Sequence, residues 1–160
     1  MNKKKVIAWT LLLLWMTMIY VFSDMEGSLS LKLSNKIIVK SAEIKDEITH
    51  KDTSQMTEHE KDKSNQSLIK KYNYPIRKSA HIFEYLILSL IMYNLLTQYN
   101  VDRKHKYIYS ILFCFLYACS DEFHQLFKNR TSKFTDVLID TFGSTLGQAF
   151  VMVKFLINNK

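Results

Sequence analysis

Glycine and proline are nearly missing from this chain, with three Gly and one Pro in 160 residues. That excludes collagen-like and low-complexity linker classes. Cysteine is also scarce. Cys114 and Cys119 fall inside one apolar run, which points to small packing residues and not to a disulfide framework. Charge is sparse wherever the chain is apolar. Of the 37 charged residues, 20 lie between 24 and 78 and only 17 in the other 105 positions. This excludes one evenly mixed soluble globule. The net charge of +7 comes with no dense basic patch interleaved with aromatics, so no nucleic-acid partner is expected. Aromatic residues make up 13%, too many for a largely disordered chain.

What is present is a set of long apolar runs. Residues 6–22 carry no charge and follow Lys3, Lys4 and Lys5. A hydrocarbon core of ~30 Å needs about 20 helical residues, so this run predicts a retained membrane helix. A cleaved signal peptide is the alternative. The run is longer than a typical signal core, and Val21-Phe22-Ser23 is not a small-x-small cleavage site. Residues 79–96, 107–127 and 136–156 supply three further runs. Residues 108–119 almost lack the polar face that a soluble helix would show. The expected fold is an all-α integral membrane protein with four transmembrane helices. A long polar extracytoplasmic excursion would join helices one and two.

The predicted organisation is a first helix over 1–23, a polar loop over 24–78 and a three-helix membrane core over 79–160. Lys/Arg counts do not separate the two sides well. The first helix has three lysines before it and Asp24 and Glu26 after it, which puts both termini in the cytoplasm. Within the polar middle, residues 29–48 have a modest amphipathic pattern: Leu33, Ile37, Ile44 and Ile48 are apolar among lysines. Two readings stand, a helix lying flat on the membrane and a loosely ordered loop. Residues 49–67 hold almost nothing apolar and are expected to be a solvated, flexible excursion. There is no internal repeat.

Six acidic residues lie outside the polar middle. With four alternating helices, Glu84, Asp121, Glu122, Asp136 and Asp140 fall at one membrane face, and Asp102 at the other. His81 and Glu84 are spaced i, i+3. Asp121 and Gln125 are i, i+4, as are Asp136 and Asp140, so each pair shares a helix face. Glu84 and Asp140 would lie roughly 6–9 Å inside their helices at 1.5 Å per residue. An ionisable side chain there costs up to ~2.5–3.5 kcal/mol, so it needs internal partners. Arg77, Lys78, His81, His124, Gln125, Arg130 and Lys133 are the candidates. A structural ion-pair network and a headgroup-handling site both fit this pattern. His81 is the better acid/base candidate and His124 a helix cap. Arg130 suits phosphate or carboxylate recognition. A divalent metal could use His81, Glu84, Asp121 and Asp136, although no spacing is diagnostic and the metal stays unknown. Gly143 and Gly147 form a small-xxx-small stretch suited to close helix packing, within the chain or in a homo-oligomer.

The same residues carry a family resemblance. Residues 77–85, with Arg77, Lys78, His81, Glu84 and Tyr85, resemble the R-K-x-x-H-x-x-E-Y stretch of the VanZ-like membrane proteins. Ser120, Asp121, Glu122 and Gln125 resemble that family's S-D-E-x-x-Q segment. Arg130, Asp136, Asp140 and Gly143 resemble its R-x-x-x-x-x-D-x-x-x-D-x-x-G segment. Phe22-Ser23 with Ser28 and Ser34 is a weaker echo of the stretch after the first helix. Lys128-Asn129 stands where the family often has Pro-Gly, and the 24–78 segment is longer and more charged than is common.

The resemblance implies a multi-pass protein of a Gram-positive bacterial plasma membrane and a link to teicoplanin resistance. It brings no established reaction or cofactor. The expected role is action at the outer face on a lipid or wall-precursor headgroup. His81, Glu84, Asp121, Glu122, Asp136 and Asp140 would be its catalytic candidates. Arg77, Lys78, Gln125 and Arg130 would be its substrate-binding ones. Three mechanisms remain open: a binder of an envelope component, a membrane hydrolase or transferase, and a structural or transport protein whose charges only pair helices.

Overall fold

The computed structural model describes residues 2–25, 29–49, 57–126 and 133–158. Five helices make up nearly all of them: α1 (Lys3–Met25), α2 (Leu29–Ile48), α3 (Glu58–Thr97), α4 (Arg103–Leu126) and α5 (Phe134–Asn158). No strand occurs among the described residues. The architecture is therefore all-α among the described residues, as the long apolar runs predict. Among the described residues two helices, α1 and α3, are long and apolar enough to cross a membrane, where the sequence predicts four such spans.

The chain divides into two compact units. One comprises residues 1–24 and 80–160, the other 25–79. In the first unit, α1, the later part of α3, α4 and α5 pack against one another. Near the start of α1, Trp9 Nε1 donates to the Tyr99 hydroxyl at 2.9 Å, and Lys5 stands 4.3 Å over the same ring. Further along, Tyr117 of α4 donates to the Met16 carbonyl at 2.6 Å. Together with the Tyr85–Tyr117 and Tyr93–Tyr107 ring contacts, these bonds run α1 and α4 one way and α3 the other. Helix α5 runs with α3. Gly143 faces the Ile82 backbone, Gly147 the Leu86 carbonyl, and Gln148 Nε2 donates to the Ser89 carbonyl at 2.9 Å. The two glycines thus serve packing inside this chain. The turn from α3 to α4 uses Asn100 at φ 54°, a left-handed position that Asn tolerates better than most residues.

Polarity in this unit is inverted relative to a soluble bundle. On α4, Ile108, Leu112, Leu116 and Phe123 are exposed, whereas Ser110, Asp121, Glu122 and Gln125 are buried. On α5, Leu138, Phe142, Leu146 and Phe150 are exposed, whereas Asp140, Ser144 and Gln148 are buried. Charged and amide side chains are normally the exposed ones.

The second unit pairs α2 with the first part of α3. Asn73 Nδ2 donates to Asn35 Oδ1 at 2.8 Å, and Ile38 is buried between the helices. Here the structure corrects one expectation. Residues 58–67 are exposed helix, not a flexible loop. The cause is a reciprocal cap at Thr57. Its backbone N–H and hydroxyl both donate to Glu60 Oε2 at 2.9 Å, and the Glu60 N–H reaches the Thr57 hydroxyl at 3.4 Å. Those bonds hold the Glu60 carboxyl below its ordinary range. Pro75 lies inside α3 and removes the hydrogen bond its position would make to the Lys71 carbonyl, so the helix is locally weakened there. The two units divide shortly after it, between Ser79 and Ala80.

Candidate functional site

The end of α1, the end of α4 and the starts of the α3 core segment and α5 bring polar side chains to one end of the first unit. Ser23 sits in the last turn of α1. Its hydroxyl donates to Asp121 Oδ2 at 2.8 Å and accepts from Gln125 Nε2 at 3.0 Å. Gln125 Nε2 also donates to Asp121 Oδ2 at 3.0 Å. The i, i+4 spacing of Asp121 and Gln125 on α4 makes this closed set possible, and all three residues are buried. Hydrogen bonds to a charged acceptor contribute roughly 1.5–3 kcal/mol each, enough to offset part of the desolvation of a buried carboxylate.

A second pair forms between α3 and α5. His81 Nδ1 lies 3.5 Å from Asp140 Oδ1, with side-chain exposures of 12% and 3%. This is an ion pair when the imidazole is protonated. It also fixes the ring against a carboxylate, the arrangement that orients a histidine for proton transfer. Tyr85, one turn beyond His81, is wholly buried and lies in electrostatic reach of both Asp140 and Asp121. Its hydroxyl finds no hydrogen-bond partner among the described residues. Tyr85 therefore stands between the two polar groups.

The remaining candidates are less centrally placed. Glu84 is half-buried, and its carbonyl accepts from Trp15 Nε1 at 3.0 Å. Buried Glu122 accepts the Lys133 backbone N–H at 3.1 Å, which ties the end of α4 to the approach of α5. Asp136 is half-buried in the first turn of α5, and its N–H donates to the Lys133 carbonyl at 2.7 Å. His124 lies in the last turn of α4. It meets the Tyr20 hydroxyl at 3.1 Å and the Tyr20 ring at 5.0 Å between centroids. Arg77 and Lys78 belong to the second unit, where Lys78 stands 5.6 Å over the Tyr74 ring. Arg130, with Lys128 and Asn129, lies outside the described residues. Among the described residues no three His, Cys, Asp or Glu side chains are grouped to hold a metal ion, so His81, Glu84, Asp121 and Asp136 do not form a metal site there. Cys114 and Cys119 are free thiols.

Sequence reasoning missed Ser23 and Tyr85 as parts of this arrangement. Both had a signal: Ser23 in the stretch after the first helix, Tyr85 at the end of the 77–85 motif. Trp15 and Tyr20 had none, because an aromatic in an apolar run reads as packing. A protein-family model described as VanZ/LLP1 matches residues 8–156, nearly the whole chain. Comparison with curated proteins and with solved structures returns no match.

Proposed function

The chain belongs to the VanZ/LLP1 family, and from that premise we propose that it acts at the outer face of a bacterial plasma membrane on the headgroup of a cell-envelope component. That component is a lipid or a lipid-linked wall precursor. In this reading α1, the later part of α3, α4 and α5 each cross the membrane, with both termini cytoplasmic. The inverted polarity of α4 and α5 supports four spans, since their exposed faces are the apolar ones. The observation that carries the function is the convergence of Ser23, Asp121, Gln125, His81 and Asp140 at one end of the unit, drawn from four chain segments. Ionisable groups kept at membrane depth mark functional sites by default. The hydroxyl, amide and carboxylate groups there match the hydroxyls and amines of a headgroup. Arg130 would match its phosphate. The consequence for the cell is lowered susceptibility to teicoplanin.

A second reading, a membrane hydrolase or transferase, is favoured by one observation: half-buried His81 set against buried Asp140. His81 would act as general base with Asp140 orienting it. Two measurements test these readings. Single cysteines at Ser64, Asn129 and Asn158, on a background lacking Cys114 and Cys119, are labelled in intact cells with a membrane-impermeant reagent. Labelling at 64 and 129 but not 158 is expected, and labelling at 158 alone would end the outer-face proposal. Teicoplanin susceptibility is then measured for His81→Gln, Asp140→Asn and Arg130→Ala at matched expression. An enzyme loses its effect with the carboxamides while still folding. A binder tolerates them and fails without Arg130. Loss of folded protein in all three would leave a structural network as the better account.

A further inference from the structure

The second unit leaves one helix face unpartnered. On α2, Ser34 and Ile38 turn toward the paired helix and are buried. Leu33, Ile37, Ile44 and Ile48 are instead 46%, 54%, 47% and 73% exposed. At 3.6 residues per turn these four positions fall within an arc of about 60°. They form one continuous apolar stripe along the whole helix. Exposed Lys36 and Lys40 lie along one flank of it and Lys45 along the other. Residues 29–42 contain three lysines and no acidic residue, so the first half of the helix is purely basic.

We propose that this stripe docks α2 onto the surface of an anionic lipid bilayer, lying flat with its lysines at the headgroups. The proposal rests on α1 being a membrane helix. Only residues 26–28 separate the end of α1 from Leu29. At most ~3.6 Å per residue, the start of α2 stays within roughly 15 Å of the point where α1 leaves the bilayer. That is about twice the roughly 5–8 Å headgroup zone of one leaflet, so the first turn of α2 is kept close to the lipid surface. An apolar stripe with flanking lysines is the pattern of an interfacial helix, held by buried apolar area and by attraction to anionic lipid. Acidic Glu43, Asp46 and Glu47 sit in the second half, so docking is strongest near the tether.

The test uses the full-length protein, without Cys114 and Cys119, in proteoliposomes. An environment-sensitive fluorophore is attached to a single cysteine at Ile37 or Ile44 on the stripe, at Glu43 away from it, or at Leu14 in α1. Quenching by spin-labelled lipid is read in vesicles with 30% phosphatidylglycerol and in pure phosphatidylcholine. Quenching at 37 and 44 but not 43 is expected, stronger in the anionic vesicles. Lys36→Gln and Lys40→Gln should each lower the docked-to-free ratio about fivefold. Quenching at Leu14 without any at 37 and 44 would overturn the proposal and leave the membrane reading intact. Equal quenching at 43 would also overturn it, because no particular face would then be docked. No quenching at Leu14 would instead show that the membrane reading has failed.

Discussion

Gly143 offers a test of the helix packing in which side-chain flexibility plays no part. A Cβ added there would meet the Ile82 carbonyl oxygen and come within 2.9 Å of Ile82 Cα and 3.0 Å of its carbonyl carbon. Every one of those atoms is helix backbone, so no rotamer change relieves the contact. Non-bonded carbons prefer about 3.5–4.0 Å, and α5 would have to move off α3 by a good fraction of an ångström. Overpacking costs about 1–3 kcal/mol, and a clash with rigid backbone falls in the upper part of that range, about 2–3 kcal/mol. Replacing Gly by Ala inside a helix returns up to about 1 kcal/mol through propensity. The net expectation for Gly143→Ala is a loss of about 1–2 kcal/mol, or roughly a 5- to 30-fold fall in the folded ratio. Gly147 differs, because its added Cβ would meet the Ser89 hydroxyl as well as the Leu86 carbonyl oxygen at 2.7 Å. Ser89→Ala removes the first obstacle. Gly147→Ala should therefore be less damaging in that background, with a coupling of about 0.5–2 kcal/mol. Reversible unfolding in bicelles measures both effects, with Ala149→Leu on the exposed face as a near-neutral control. A Gly143→Ala protein at least as stable as the parent would refute the close α3–α5 approach.

Three further outcomes are expected. Ser23→Ala removes both the donor to Asp121 and an acceptor of Gln125, and should cost about 1–3 kcal/mol in the same assay; a neutral result would mean the buried triad does not hold α1 to α4. The Glu60 carboxyl has a pKa below its ordinary 4.5 because the Thr57 N–H and hydroxyl bind the charged form. Its contribution to the start of α3 is therefore present above about pH 4.5 and is lost as pH falls through the lowered value. Protection of the amides at residues 59–61, corrected for intrinsic exchange rates, should fall in that acid window; Thr57→Ala, which keeps the backbone N–H, should weaken the dependence and Glu60→Gln should abolish it. In detergent, a small maleimide should modify half-buried Cys119 well before fully buried Cys114, and equal rates would contradict the inward facing of Cys114.

Much of this was legible in the sequence, and the exceptions have physical causes. The helices could be read because apolar runs of near-spanning length leave few alternatives. The amphipathic stretch over 29–48 is α2. The start of α3 was misread because polar composition suggested a loop, whereas Thr57 and Glu60 cap a helix that needs no apolar face to continue. Spacing brought Asp121 and Gln125 together correctly. It could not show that Ser23 closes the set, since that contact joins positions 98 residues apart. Spacing also grouped His81 with Glu84. In the folded chain His81 faces Asp140 across the α3–α5 contact.

The same inward polar residues explain why, among the described residues, only α1 and α3 are apolar enough along their length to read as spans. On α4 and α5 an average over the whole helix counts Asp121, Gln125, Asp140 and Gln148 against the membrane. Those side chains face the bundle, and lipid would meet apolar residues such as Leu112, Leu116, Phe142 and Phe150. If these helices lie in lipid, apolar burial cannot hold them together, because lipid tails are as apolar as leucine. Close packing at Gly143 and Gly147 and interhelical hydrogen bonds must then supply the cohesion. The polar cluster would serve two ends at once, fastening four helices and presenting chemistry at one face. Truncating Asp121 or Asp140 to alanine will move stability and function together. A conservative change that separates the two, such as Asp121→Asn in a protein that still folds, is therefore more informative than any truncation to alanine.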